Sequence, residues 1–311
     1  MSKSQRIFMT GATGYIGSVI TELAISEGYE VHGLSRSESG DAKLLKAGAV
    51  PVRGDLTSLD ILRRESAEAD IVLHLATAYH ITNASAGYDA IWPIDKAAVE
   101  AIADGLEGSN KPLVVTGGTL FVSPDPDGKE TTETSPEDPD PLNTRHQAEA
   151  HALELAMRGI RVVAIRLAPW VFGRGGSGVK IFMDVSKQAG EVTCVDGGKN
   201  CTTTVYVDDA ARLYLLAAQN SKSGEVFNAS SATNVTFDEM WETMATALNL
   251  PLKYLPTEDA IAKLGPFLTK FISVENRASG AKARDILGWK PSGFSILEEI
   301  RLTASQGQDI H

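Results

Sequence analysis

Apolar positions along the chain fall into two rhythms. Residues 6–10 (RIFMT) are a short apolar run ended by glycines, and from Tyr15 the apolar positions recur at helical spacing, so a strand feeds a turn that opens a helix. Residues 30–34 (EVHGL) alternate, which predicts a half-buried strand ending at Ser35, Arg36 and Ser37. A short helix over 41–47 leads to a strand in AVPVRGDL, closed by Gly54 and Asp55. DIVLHLATAYH is nearly all apolar from Ile71 to Leu75, as expected of a strand covered on both faces. A helix over 91–106 precedes a fifth apolar strand in KPLVVTGGTLFV, and a helix over 145–157 precedes a sixth in RVVAIRLAPWVFG. Strand and helix alternate throughout this half, which predicts an α/β protein with a parallel, doubly wound sheet and right-handed crossovers.

Two stretches break the rhythm. SPDPDGKETTETSPEDPDPLN has no period and is rich in proline and acid, so it reads as a long surface loop, either a mobile lid over the site or a solvated excursion. From Trp170 onward the order is less regular, with a glycine-rich corner (GRGGSG), a helix over 179–189, short strands in VTCV and TTTVYV, a helix over 208–219 and a strand in GEVFNAS. Helices over 237–248, 259–268 and 295–303 complete the chain. The expected division is a sheet domain of residues 1–169, rejoined by 205–230, and a small, mostly helical substrate lobe of 170–204 and 231–311.

Composition narrows the function classes. With 311 residues, 43% hydrophobic and 22% charged, the chain can bury a large core. A formal net charge of -11 argues against nucleic-acid or anionic-membrane partners, either of which needs a basic face. MSKSQR leads directly into the first strand and no run reaches membrane-spanning length, so the expected location is cytoplasmic. Cys194 and Cys201 are expected as reduced thiols without the company of metal ligands, and no metal site is predicted.

The candidate chemistry begins at the first turn. Gly11, Gly14 and Gly17 recur every third residue in TGATGYIG, with Thr13, Tyr15 and Ile16 between and beside them. The first glycine permits a tight turn, the second lets backbone approach a pyrophosphate, and the third lets helix meet strand. The N–H groups and dipole at that helix start would hold phosphates. Arg36, flanked by Ser35 and Ser37, suits a ribose 2′-phosphate, where an NAD site places a carboxylate, so NADP is expected over NAD. Asp55, with Leu56, either meets adenine or caps the next helix together with Thr57. His74, inside an apolar strand, reads as a satisfied core histidine. Tyr79 and His80, just beyond that strand's carboxyl end, are better placed for chemistry.

Taken together the chain resembles the short-chain dehydrogenase/reductase superfamily, in its extended NAD-dependent epimerase/dehydratase branch. The resemblance rests on TGATGYIG at 10–17, GDL at 54–56, HLAT at 74–77, IRLAPWVFGRG at 165–175, YVDDAA at 206–211 and LGWKP at 287–291. It implies a Rossmann-type domain with a C-terminal substrate lobe, a cleft between them, and a homodimer through a helix pair. It also implies cofactor contacts from Leu75, Ala76, Thr77, Thr116 and Gln147. Trp170, Phe172, Arg174 and Tyr206 would face a small-molecule substrate, although packing between lobes explains Trp170 equally well. Asp208 and Asp209 would cap a helix and brace the lobes, and Arg166 would meet a carboxylate inside the fold.

The chain departs from the family where the chemistry is usually done. Active relatives carry Tyr-x-x-x-Lys and a nearby Ser or Thr; alignment on Ala148-Glu149 places Asn143 and Gln147 at the pair, and Gly118 in the hydroxyl slot between Thr116 and Thr119. Neither amide exchanges a proton as a phenol does, nor supplies an ammonium. Thr119 and Thr116 remain as hydrogen-bond donors, Asn143 as a polar contact, and Tyr79 or His80 as proton donors, with Tyr206, Tyr88 and His146 behind them. Three readings follow: an NADP-dependent oxidoreductase on a small carbonyl or alcohol with a relocated proton donor, a non-redox isomerase or epimerase, and a catalytically inactive NADP-binding sensor.

Overall fold

The computed structural model describes residues 4–80, 87–176 and 178–306, without the side chains of His80 and Gln306. In its first half strands and helices alternate as β1 (Arg6–Thr10), α1 (Tyr15–Ser26), β2 (Glu30–Ser35), α2 (Glu38–Ala47), β3 (Val50–Arg53), α3 (Leu59–Glu68), β4 (Ile71–His74), α4 (Trp92–Leu106), β5 (Pro112–Gly118), α5 (His146–Glu154) and β6 (Arg161–Leu167). The second half runs β7 (Trp170–Phe172), α6 (Gly178–Ala189), β8 (Val192–Val195), β9 (Cys201–Tyr206), α7 (Val207–Asn220), β10 (Glu225–Ala229), β11 (Ala232–Thr236), α8 (Phe237–Leu248), β12 (Leu252–Leu255), α9 (Thr257–Leu264), α10 (Pro266–Phe271), α11 (Ala281–Leu287) and α12 (Ile296–Gln306).

Seven strands form one parallel sheet in the order β10-β6-β5-β4-β1-β2-β3. The chain builds outward from β1 through β2 to β3, then returns to the other side of β1 for β4. That reversal opens a crevice beyond the carboxyl ends of β1 and β4, the position at which doubly wound sheets bind ligands. Side chains of β1 alternate between two cores: Ile7 and Met9 join α1 and α7 on one face, while Phe8 joins α3 and α4 on the other.

A third core lies in the C-terminal segments, around Trp170, Phe172, Phe237 and Trp241. These segments were expected to be mostly helical, but they also carry two small sheets, β11-β9-β7 and β12-β8. The helix expected over 259–268 is two, because Gly265 takes φ +82° and Pro266, lacking an N–H, starts a new one. Trp289, from LGWKP, is buried and its indole Nε1 donates to Asp209 O at 2.8 Å.

The acidic loop between β5 and α5 is fastened down, and none of its residues lines the cleft described below. Thr131 N donates to Arg277 O at 3.0 Å, Ser279 N to Thr131 O at 2.8 Å, and Lys270 Nζ to Asp140 Oδ2 at 2.8 Å. Glu133 reaches the sheet itself: its carbonyl accepts from Arg166 Nη1 at 3.2 Å and its carboxylate from Asn228 N at 2.8 Å. The segment is a strap between the sheet domain and the lobe, so neither lid nor free excursion describes it. Among the described residues no helix is long and apolar enough to cross a membrane.

Candidate functional site

The turn between β1 and α1 is shaped by what its glycines lack. Gly11 takes φ +77°, and a Cβ there would lie 3.0 Å from Ala76 N and 3.2 Å from Leu75 Cβ, so the turn presses against the end of β4. At Gly17 a Cβ would sit 2.1 Å from Gly11 O, so only a bare Cα lets α1 start this close to the turn. Gly14 is the N-cap of α1, no side chain caps the helix, and its first turn holds no acidic residue. The first-turn N–H groups are therefore left for an anionic ligand. This cradle fits the diphosphate of a dinucleotide.

Beyond the turn runs a cleft of about 360 Å³ lined by Gly11, Thr13, Gly14, Tyr15, Ile16, Gly17, Leu34, Arg36, Asp55, Leu56, Leu75, Ala76, Thr77, Thr116 and Leu167. Arg36 is exposed at one end and forms no ion pair with a described residue. Ser35 and Ser37 do not join it: Ser35 is buried and its hydroxyl donates to Ser37 O at 3.1 Å, while Ser37 Oγ caps α2 by accepting from Gly40 N at 3.1 Å. Strand alternation explains this, because residues 34 and 36 share a side and 35 faces the other way. The same rule makes Leu34 a wall of the cleft, which sequence reasoning missed. Asp55 lines the cleft, and its Oδ1 accepts from Thr57 N at 2.8 Å in the turn ahead of α3; the N-cap of that helix is Ser58, with no side-chain cap, so neither Asp55 nor Thr57 caps it. Leu167, the end of β6, closes the opposite side.

At that opposite end Thr116 lines the cleft, but its hydroxyl is engaged, donating to His74 O at 3.1 Å and sharing a 2.8 Å bond with Tyr214 Oη. Thr119 lies elsewhere: it is 1% exposed, and its hydroxyl donates to Asn276 Oδ1 at 3.0 Å. It stands one residue into the turn after β5 and faces the lobe junction. Asn143 and Gln147 do not line the cleft either. Asn143 Oδ1 accepts from Arg145 N at 3.0 Å ahead of α5, and Gln147 is exposed. His74 is buried against Thr10 Oγ1, 2.8 Å from its Nδ1, and burial, helped by the nearby Arg145 charge, holds its pKa down to about 4.

A smaller inner pocket of about 30 Å³ adjoins the cleft and shares Leu75, Ala76, Thr77 and Thr116 with it. Its other walls include Tyr88, Trp92, Asp95, Arg145 and Glu149. Asp95 accepts from Ala78 N at 2.9 Å and from Tyr88 Oη at 3.2 Å, and burial raises its carboxyl above the usual range. Tyr79, on the turn after β4, lies with its ring centroid 6.1 Å from that of Tyr88, and burial raises its phenol. Tyr79 itself lines neither the cleft nor the inner pocket. The side chain of His80 lies outside the described residues. Trp92, Asp95 and Arg145 were not legible as site residues. Arg145 sits between Asn143 and Gln147 in the chain.

The four residues expected to face substrate are placed apart from the cleft. Trp170 is 2% exposed and packs on Phe182, Phe271 and Trp241 at 5.2, 5.5 and 5.8 Å, which makes it lobe core. Phe172 is buried against Tyr206 at 5.7 Å, and Tyr206 packs on Phe294 at 4.8 Å. Arg174 adopts φ +54° and pairs with Asp208 at 2.6 Å and Glu22 at 2.5 Å, and those bonds hold its guanidinium above the usual pKa. Tyr15 Oη donates to Gly173 O at 2.7 Å, so the same turn is bound to the start of α1. Asp209 does brace the lobe, accepting from Ser292 N at 3.0 Å and Gly293 N at 2.8 Å. Arg166 meets its buried carboxylate in Glu149, at 2.7 and 2.9 Å.

Known proteins agree with this geometry. An uncharacterized protein of Schizosaccharomyces pombe is 34% identical over 296 residues, covering 95% of this chain and 98% of the relative. A 4-hydroxy-2-methyl-3-oxo-4-farnesyl-3,4-dihydroquinoline-1-oxide ketoreductase of Stigmatella aurantiaca is 25% identical over 71% of this chain and 67% of its own length. The solved structure of UDP-glucose 4-epimerase from Thermus thermophilus in complex with NAD has the same fold, with a TM-score of 0.73 at 20% identity over 99% of this chain and 100% of that one. The sequence profile of the NAD dependent epimerase/dehydratase family matches residues 7–230, which span the glycine turn, every strand of the large sheet and the whole cleft. With the bare-backbone cradle at Gly11–Gly17 in place, this chain is a member of the NAD dependent epimerase/dehydratase family.

Proposed function

We propose that the protein is an NADP-dependent oxidoreductase acting on a small carbonyl or alcohol. The observation that carries this reading is the cleft itself, which starts at Arg36, a guanidinium with no ion pair among the described residues, passes the glycine cradle and ends at Thr116 beside a second pocket that Asp95, Arg145 and Glu149 help to line. Arg36 is suited to a 2′-phosphate because a guanidinium grips phosphate oxygens in pairs. When bound, the nicotinamide would supply hydride to a carbonyl carbon or take it from an alcohol carbon. The carbonyl oxygen then needs a proton, and Thr116 and Thr119 have committed theirs within the fold. The donor we assign is Tyr79, whose ring meets that of Tyr88 on the inner pocket's wall, with His80 the next residue in the chain. The ketoreductase among the relatives supports net redox chemistry.

NADPH and NADH titrations of the wild type and Arg36→Ala test the cofactor. NADPH should bind at least tenfold more tightly than NADH, and the substitution should erase the difference. Equal binding of both by the wild type would reject the preference. Tyr79→Phe/His80→Ala should abolish or greatly slow carbonyl-dependent NADPH oxidation. An epimerase reading, favoured by the structural likeness to UDP-glucose 4-epimerase, instead requires turnover with no net change in cofactor oxidation.

A further inference from the structure

The inner pocket holds a cation, Arg145, that forms no ion pair with a described residue; the Asp95 carboxylate on the same wall acts on it only at longer range. Arg145 lines it, and no carboxylate of a described residue lies within the 4.0 Å of an ion pair. The two carboxylates that share the pocket are already engaged: Asp95 accepts from Ala78 N and Tyr88 Oη, and Glu149 holds Arg166. What does hold Arg145 is the Tyr88 ring, whose centroid is 5.9 Å from the guanidinium carbon. A ring face steadies a guanidinium without consuming its N–H donors, so these remain for a ligand. In a chain of net charge -11 carboxylates are abundant, yet this half-buried arginine facing the pocket has no direct carboxylate partner among the described residues.

We propose that Arg145 anchors an anionic group of the substrate, and that the substrate is a compact oxo- or hydroxy-carboxylate. This deepens the oxidoreductase reading and rests on it. The carboxylate would occupy the inner pocket, paired with the guanidinium fork, and the adjoining carbonyl or alcohol carbon would lie at the Thr116 edge where pocket and cleft meet. A planar guanidinium and a carboxylate match in two parallel hydrogen bonds, and in a partly desolvated pocket they are stronger than in water. Size points the same way: the pocket is small, about 30 Å³, which suits a compact substrate.

Oxamate and its neutral isostere oxamide distinguish charge from shape. Calorimetric titrations would use the full chain saturated with NADPH, with thermal unfolding checked for every variant. The wild type should bind oxamate at least tenfold more tightly than oxamide. Arg145→Met should weaken oxamate at least tenfold and leave oxamide and NADPH unchanged, while Arg145→Lys should recover part of the loss. Oxamate binding that is equal in wild type and Arg145→Met, or no tighter than oxamide in the wild type, overturns the proposal while leaving the cofactor reading standing. A wild type that fails to bind NADPH strikes the reading on which the proposal rests, and the proposal falls with it.

Discussion

Two adjacent glycines at the end of β5 show how much a single Cβ decides. A Cβ on Gly117 would lie 2.1 Å from Glu149 Oε2, and that oxygen has no freedom to swing away because Arg166 grips the carboxylate. Gly117→Ala should therefore loosen a buried ion pair and cost about 2–3 kcal/mol in urea unfolding. Next to it, Gly118 has no neighbour closer than 3.9 Å to an added Cβ, and its backbone is extended. Gly118→Ser should leave stability within about 0.5 kcal/mol of wild type. The contrast was invisible in the sequence, where the two glycines look interchangeable, because Glu149 arrives from α5, across the crossover. Arg166 was different: an arginine inside an apolar strand announces a buried partner by itself.

Elements were legible where periodicity governs them and obscure where long-range bonds do. The helix Phe237–Leu248 matches its expected limits because a local signal sets its start: Thr236 and Glu239 form a capping box. The strap between β5 and α5 has no such signal. Its proline and acid read as solvated chain, while most of the groups that fix it, Arg277, Ser279, Lys270 and Asn228, come from far along the chain, where local pattern carries nothing. Arg277 Nε donates to Thr233 O at 3.1 Å and its Nη1 to Gly128 O, so it links the strap to β11. Arg277→Ala should raise the rate of protease cleavage within residues 124–140 by about tenfold under native conditions, a local opening cost of about 1.4 kcal/mol. Unchanged cleavage would mean that the bonds at Thr131, Glu133 and Asp140 hold the strap without the Arg277 side chain.

For the whole molecule, acid sensitivity has an identifiable contributor. Unfolded, His74 would titrate near 6.5; folded, burial holds it to about 4. Between those values the unfolded chain binds a proton that the folded one refuses, so the stabilisation is full above pH 6.5 and is lost as pH falls toward 4, by about 3 kcal/mol. His74→Gln should flatten the unfolding free energy across that window relative to wild type, and parallel profiles would assign the acid loss to other groups. The sheet and its cofactor turn were readable because glycine spacing and apolar runs are local facts. The placement of Trp170, Phe172 and Arg174 was not, since each looks like a binding residue until the core of the lobe and the Glu22 and Asp208 carboxylates are seen around it. One consequence of the strand order concerns synthesis. The chain leaves the large sheet at Leu167 and completes it with Glu225–Ala229, so a growing polypeptide carries the open border of β6 through the making of β7, β8 and β9. Until that border is covered it is an edge on which two nascent chains can pair, and a chaperone guarding this protein would have its work there.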